Sequence, residues 1–140
     1  MRKYFLLFCF MFAPLSASAE DMVVRTEDPR PFGYVIGDEL SRRVEIDAPS
    51  NYKIQNDSLP RAGRVDSWLE LRKIKVTEKA IGDKSRHTLD LHYQVMNSPE
   101  SVKTHQLPNL LIIFNNLSRV HEAEIAESPF TVAPITPAFV

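Results

Sequence analysis

Strict alternation between apolar and polar side chains over residues 87–95 is the feature that most constrains how this chain folds. The apolar positions of this segment are Leu89, Leu91, Tyr93 and Val95, and the polar positions between them are Asp90, His92 and Gln94. A period of two puts the two sets on opposite faces of a β-strand with one buried face. The chain therefore needs a second layer to cover the apolar face.

The same pattern predicts strands along the rest of the chain. Residues 42–47 place Val44 and Ile46 inward and the charged side chains between them outward. Residues 65–76 change parity near Arg72 and Lys73, which indicates either a β-bulge or a strand partly buried on both faces. Residues 78–85 are predicted to be a hairpin connection. Further strands are predicted at residues 22–26, 102–107, 110–114, 119–125 and 130–132.

The apolar run at residues 110–114 is typical of a central strand covered on both faces. Prolines separate most of the predicted strands, and no segment has the apolar spacing of an amphipathic helix over three turns. About seven or eight short strands predict an all-β fold, an antiparallel immunoglobulin-like β-sandwich. We expect it to span residues 20–134, with Trp68 in its core and a disordered or truncated tail at residues 135–140.

The first nineteen residues predict export. Two basic residues, Arg2 and Lys3, precede a short apolar run, and small residues ending at Ala19 follow it. This order is typical of a secretory signal peptide at residues 1–19, and it indicates a periplasmic protein that begins near Glu20. No later apolar stretch is long enough to span a membrane.

Cleavage there would remove two basic residues and the sole cysteine, Cys9. The remainder has 15 basic and 18 acidic residues, a net charge of about −3, which argues against nucleic acid or an anionic membrane as partner. Without a thiol, it has no disulfide, no cysteine nucleophile and no cysteine-ligated metal.

Motifs for catalysis and metal binding are weak. The four histidines form no metal-binding motif, and the sequence lacks the G-x-S-x-G pattern of a serine nucleophile. We therefore predict that the protein is not an enzyme and holds no cofactor, with calcium as the one ligand to consider. Glu122 and Glu124 share a face of a predicted strand, and with Asp66 they are the weak candidates for a calcium site.

Basic residues group around one turn. Arg61 and Arg64 bracket Gly63 and could present guanidinium groups to an acidic partner, because arginine binds carboxylates through two parallel hydrogen bonds. The alternative is a set of ordinary surface ion pairs, in which nearby arginines and lysines contact Glu45, Asp47, Asp66 and Glu70.

Three segments carry a resemblance to a known family. Residues 32–38 read Phe-Gly-Tyr-Val-Ile-Gly-Asp, residues 59–65 read Leu-Pro-Arg-Ala-Gly-Arg-Val, and residues 90–97 read Asp-Leu-His-Tyr-Gln-Val-Met-Asn. In this order, over residues 24–134, the chain resembles the MxaA family of periplasmic accessory proteins from methylotrophic bacteria. The resemblance implies a role in the maturation of a calcium- and quinone-dependent methanol dehydrogenase, by calcium insertion.

The residues that resemble hallmarks of that family are Pro60, Arg61, Gly63, Arg64 and Trp68. The resemblance implies a structural role for Pro60, Gly63 and Trp68. Family members are longer and carry a membrane anchor after the domain, so we expect a shortened relative or a truncated product.

The leading hypothesis is an exported, non-catalytic accessory protein that binds another periplasmic protein. The resemblance implies that this partner is a quinoprotein dehydrogenase. One alternative is a calcium-binding periplasmic β-sandwich module. A second is a small hydrolase whose histidine, carboxylate and hydroxyl converge only on folding. A third is a remnant that has lost its membrane anchor and its function.

Overall fold

The computed structural model describes residues 22–135, which form ten β-strands and one 3-10 turn at Asn56–Ser58. The strands are β1 (Val23–Glu27), β2 (Glu39–Pro49), β3 (Lys53–Ile54), β4 (Gly63–Arg64), β5 (Leu69–Ile81), β6 (Lys84–Val95), β7 (Lys103–Leu107), β8 (Leu110–Asn115), β9 (Val120–Ile125) and β10 (Ser128–Val132). No helix within residues 22–135 has the length and apolar character needed to cross a membrane. The predicted signal peptide, Cys9 and residues 136–140 lie outside the described part of the chain.

The strands form two layers around one core. The first layer is a five-stranded antiparallel sheet in the order β1-β2-β6-β5-β4. The second layer consists of a three-stranded sheet, β3-β8-β9, and a two-stranded sheet, β7-β10, both antiparallel. Buried residues from all three sheets make a single apolar cluster, in which Val44, Leu89, Phe114 and Phe130 are at most 1% exposed. The predicted all-β, antiparallel, sandwich-like fold is confirmed.

Alternation predicted the inward faces of β2 and β6 correctly. Leu89, Leu91, Tyr93 and Val95 of β6 are buried, as are Val44 and Ile46 of β2. The parity change near Arg72 is a β-bulge, because the register between β5 and β6 shifts between Leu71 and Lys73. The alternative of a strand buried on both faces is wrong for this segment, since β5 beyond the bulge is mostly exposed.

Three other predictions about strands need correction. Residues 65–76 are not one strand: β4 ends at Arg64, a turn follows, and β5 begins at Leu69. The connection at residues 78–85 is shorter than predicted, because pairing continues to Ile81 and Lys84 and only two residues form the turn. Strand β8 is central in its sheet but is not covered on both faces, since Leu111 is 45% exposed.

The second layer is interrupted where its two sheets meet. Strands β7 and β8 are separated by two residues, Pro108 and Asn109, and β9 and β10 by Ala126 and Glu127. Proline has no N–H to donate, and the carbonyl groups in such a break need other partners. The break therefore leaves backbone oxygens to be satisfied from outside the ladder.

Arg42 of β2 supplies those partners. Its side chain is 1% exposed, and it donates from Nη1 to the Pro108 carbonyl at 3.3 Å and from Nη2 to the Ala126 carbonyl. Its Nε lies 2.7 Å from a carboxylate oxygen of Asp28, which follows β1. Arg42 points inward because it shares the buried face of β2 with Val44 and Ile46.

The opposite face of the first sheet carries exposed ion pairs. Asp47 accepts hydrogen bonds from Arg86 at 2.8 and 3.1 Å and from Arg25 at 3.0 Å. Chiefly through the bond from Arg86, these contacts lower the pKa of Asp47 to about 2, from its usual 3.8. Asp47 thus connects β1, β2 and β6 on the solvent side of the sheet.

Replacing Arg42 with methionine, which keeps most of the side-chain volume, is expected to lower the free energy of unfolding by about 3 kcal/mol. The loss arises because two carbonyls would lose their hydrogen-bond donor and the Asp28 carboxylate would lose its ion-pair partner. Urea unfolding measures it. The matched control is Arg43→Met on the solvent face, where an exposed ion pair with Asp90 contributes little to stability. Equal losses in the two variants would contradict the role given to Arg42.

Asp47→Asn is expected to lower the free energy of unfolding by about 1 kcal/mol at pH 7. This is less than the free energy that corresponds to the full pKa shift, because solvent screens the ion pairs. A carboxyl whose folded pKa is lowered stabilises the fold above its unfolded pKa, and this contribution disappears as the pH falls toward the folded pKa. The difference in stability between wild type and Asp47→Asn should therefore shrink between pH 4 and pH 2. Urea unfolding at several pH values tests this, and a constant difference would contradict it.

Candidate functional site

The turn that joins β4 to β5, together with the residues before it, forms the best-defined candidate site, which we call the basic turn (residues 60–68). Gly63 has φ +142°, a conformation that residues with a side chain rarely adopt. Gly63 and Arg64 pair with Leu71 and Glu70 of β5. The Asp66 carboxylate accepts hydrogen bonds from the backbone N–H groups of Trp68 at 2.7 Å and Leu69 at 2.9 Å.

These bonds give the turn a specific shape. The Val65 N–H also donates to the Leu69 carbonyl at 3.0 Å, closing the chain back on itself. Aspartate commonly organises a turn in this way, by accepting bonds from backbone groups two and three positions later. The basic turn is thus ordered by its own side chains as well as by pairing with β5.

Arg61 and Arg64 are both exposed on this turn. Within residues 22–135, neither side chain has an ion pair, hydrogen bond or aromatic contact. The four carboxylates proposed as their surface partners are engaged elsewhere. Glu45 and Asp47 contact Arg25, Glu70 lies 3.6 Å from Arg72, and Asp66 bonds the backbone. The alternative of ordinary ion pairs therefore holds for neighbouring residues but not for these two arginines.

Trp68 ends the turn at the border of the core. Its ring stacks on His105 of β7, with centroids 4.4 Å apart and planes 27° apart, and the Lys103 ammonium lies 6.0 Å from its centroid. The side chain is only partly buried, so the expectation that Trp68 fills the core is wrong. The reason is its position: it precedes β5 and packs against the edge of the β7-β10 sheet. Pro60, at the start of the turn, is likewise partly buried.

The three candidate metal ligands are not gathered into one site. Asp66 is bound to two backbone N–H groups of the basic turn. Glu122 and Glu124 are exposed on β9, opposite Ile113 and Leu111 of β8. Within residues 22–135, no group of three or more histidine, aspartate or glutamate side chains is arranged to hold a metal ion.

A hydroxyl and an imidazole do meet on the solvent face of the first sheet. Ser41 Oγ of β2 lies 3.0 Å from His92 Nδ1 of β6, in a cleft of about 600 Å³ that Lys73 and Lys75 also line. The carboxylate nearest along β6, Asp90, is held instead by Arg43 at 2.7 Å. The arrangement is a serine–histidine pair without a carboxylate bound to the imidazole.

Sequence reasoning could not find this pair, because Ser41 and His92 are 51 positions apart and only strand pairing brings them together. Their backbone groups belong to the β2–β6 ladder. A serine nucleophile also needs N–H donors aimed at a developing oxyanion, and residues inside a ladder offer few. We assign the pair no catalytic role.

His87 is the one fully buried histidine of the described chain. Its ring meets Phe114 edge-on at 5.0 Å, and burial lowers its pKa below the usual 6.5, although the nearby Glu78 carboxylate opposes the shift. His87 is therefore neutral at pH 7 and packs as part of the core, on the face of β6 opposite His92.

Comparison with known proteins adds no further constraint on the site. No protein-family model, curated protein or solved structure matches this chain.

Asp66→Ala is expected to loosen the basic turn and lower the free energy of unfolding by about 1 kcal/mol, because two backbone N–H groups lose their acceptor. Amide hydrogen exchange should become faster at Trp68 and Leu69. Asp66→Asn keeps a side-chain oxygen and should stay close to wild type. If both substitutions speed exchange equally, the carboxylate charge rather than the hydrogen bonds orders the turn.

Proposed function

We propose that this protein is an exported, non-catalytic accessory module that binds an acidic surface of another periplasmic protein through its basic turn. The proposal rests on the exposure of Arg61 and Arg64 and on their lack of an ion-pair partner. Both are exposed on an ordered turn, and both lack a partner within residues 22–135.

Charge supports an acidic partner. Elsewhere on the first sheet, Arg25, Arg43 and Arg86 each contact a carboxylate of the same chain. Arg61 and Arg64 keep their donors available, and guanidinium groups bind carboxylates in a planar, two-bond geometry. A surface rich in aspartate and glutamate matches this pair of residues.

The order of the turn supports binding as well. Because Asp66 and the pairing with β5 already hold the chain, little conformational entropy is lost when a partner binds. Trp68, partly exposed in the same turn, adds an aromatic surface, and arginine and tryptophan are the residues most often found at the energetic centre of protein interfaces.

The resemblance to the MxaA family is the basis for proposing which protein is bound. We propose that the partner is a quinone-dependent methanol dehydrogenase or one of its accessory proteins, and that binding assists its maturation. Calcium would then belong to the dehydrogenase, and its effect on the complex is part of the test.

The Arg61→Ala/Arg64→Ala double variant should recover at least tenfold less partner than wild type in an affinity pull-down from periplasmic extract. The protein is produced from the full 140-residue chain so that the cell performs any processing. The matched control is Arg119→Ala, because Arg119 is exposed and lacks a side-chain partner within residues 22–135 but lies on the β8–β9 turn. Unchanged recovery by the double variant would contradict the role of the basic turn.

The identity of the captured protein tests the maturation role separately. Recovery of a quinoprotein dehydrogenase or its accessory proteins, with a dependence on added calcium, supports it. Recovery of an unrelated exported protein through the same arginines would keep the binding function and overturn the maturation role. Recovery of nothing by folded wild-type protein would overturn both.

A further inference from the structure

Most of β5 forms an open edge of the first sheet. The last strand in the sheet order is β4, which pairs only with Glu70 and Leu71. Beyond the bulge, residues 73–81 pair with β6 on one side, and no strand within residues 22–135 pairs with them on the other. Apart from Ile74, which is partly buried, these residues are exposed. At about 3.3 Å per residue, the open edge is about 30 Å long.

The hairpin turn determines which backbone groups face outward. Gly82 and Asp83 form a two-residue turn, with Gly82 at φ +61°, so the flanking residues Ile81 and Lys84 bond to each other. In an antiparallel ladder, bonded and non-bonded positions then alternate along the strand. The β5 residues whose N–H and C=O groups point away from β6 are therefore Ile74, Val76, Glu78 and Ala80.

The side chains along the open edge differ between its two faces. Ile74, Val76 and Ala80 lie on the core side; Ile74 packs against the core, whereas Val76 is 40% exposed and Ala80 is exposed. Lys73, Lys75 and Lys79 lie on the other face, paired in register with His92, Asp90 and Arg86. Within the described chain, none of these three lysines forms an ion pair.

Charge argues against a second copy of this chain at the edge. Antiparallel self-pairing about Thr77 would set Lys75 opposite Lys79, and pairing about Val76 would set Lys73 opposite Lys79. Like charges directly opposite each other destabilise a strand pair. Lysines on exposed edges commonly prevent self-association in this way, and they leave the edge available to a strand of opposite charge.

We propose that the open edge of β5 binds an extended acidic segment of another protein by strand addition. The segment would alternate apolar and acidic residues. Its backbone would bond Ile74, Val76, Glu78 and Ala80, its apolar side chains would cover Val76, and its carboxylates would meet the three lysines. Main-chain bonds then give affinity, and the alternating side chains give specificity. This inference goes beyond the proposed function and does not depend on it.

The direct test uses a synthetic nine-residue peptide that alternates valine and glutamate, with an alternating valine–lysine peptide as its control. At saturation, the glutamate peptide should slow amide exchange at least tenfold at Ile74, Val76, Glu78 and Ala80, measured by NMR on the purified protein. The lysine peptide should leave these rates unchanged. Absence of protection with the glutamate peptide, or equal protection with both peptides, would overturn the proposal.

Val76→Pro removes one outward N–H and no bond of the β5–β6 ladder, so the fold should persist and peptide affinity should fall at least tenfold. Val76→Thr keeps the N–H and should bind within about threefold of wild type. If Val76→Pro does not fold, a Lys73→Gln/Lys75→Gln/Lys79→Gln variant replaces it, with the same expected loss. Wild-type affinity in either altered protein would overturn the proposal.

A final measurement distinguishes binding of an acidic segment from pairing between two copies of this chain. Light scattering of wild type without peptide should give a monomer over the concentrations used. A dimer that protects the same four amides would overturn the proposal in favour of self-pairing. None of these measurements involves Arg61 or Arg64, so failure of the pull-down and failure of strand addition are distinguishable.

Discussion

The buried guanidinium of Arg42 is the interaction on which the two-layer arrangement depends. It joins β2 of the first sheet to the carbonyls of Pro108 and Ala126, where the second layer breaks into two sheets. A break in a ladder leaves backbone acceptors, and a buried acceptor without a donor is costly. The Arg42 side chain, which comes from the opposite layer, donates to a carbonyl on each side of the break and also pairs with Asp28.

Dividing the second layer has consequences for the surface. The two short sheets cover the inner face of β2 and β6, but they leave most of β5 beyond its bulge exposed. Both surfaces that we propose to bind partners therefore lie at the β4–β5 side of the first sheet. The basic turn occupies the part of that side where β4 pairs, and the open edge begins where β4 ends. Each carries cations without a partner in the described chain, and each suits an acidic partner.

The sequence predicted features that depend on residues close together in the chain better than features that depend on distant residues. Alternation located all the long strands, because inward and outward positions follow from the local period of the backbone. The same pattern gave a bulge as one of two interpretations, and strand pairing places it between Leu71 and Lys73. It failed at Trp68, whose spacing matched a strand, because the Asp66 hydrogen bonds make that segment a turn. For the candidate site, the exposure of Arg61 and Arg64 agreed with their position beside a glycine, but their lack of partners did not follow from spacing.

The sequence by itself determined the all-β fold, the buried faces of β2 and β6 and a turn with two arginines, because these depend on neighbours along the chain. The tertiary structure alone decided which distant groups meet. Arg42 finds its two carbonyl acceptors 66 and 84 positions away, and Ser41 reaches His92 across 51 positions. It also decided that β5 has an open edge, because a strand is at the edge only when no other strand pairs beside it. The physical reason is that strand order and register depend on the whole pattern of pairing, which no local period encodes.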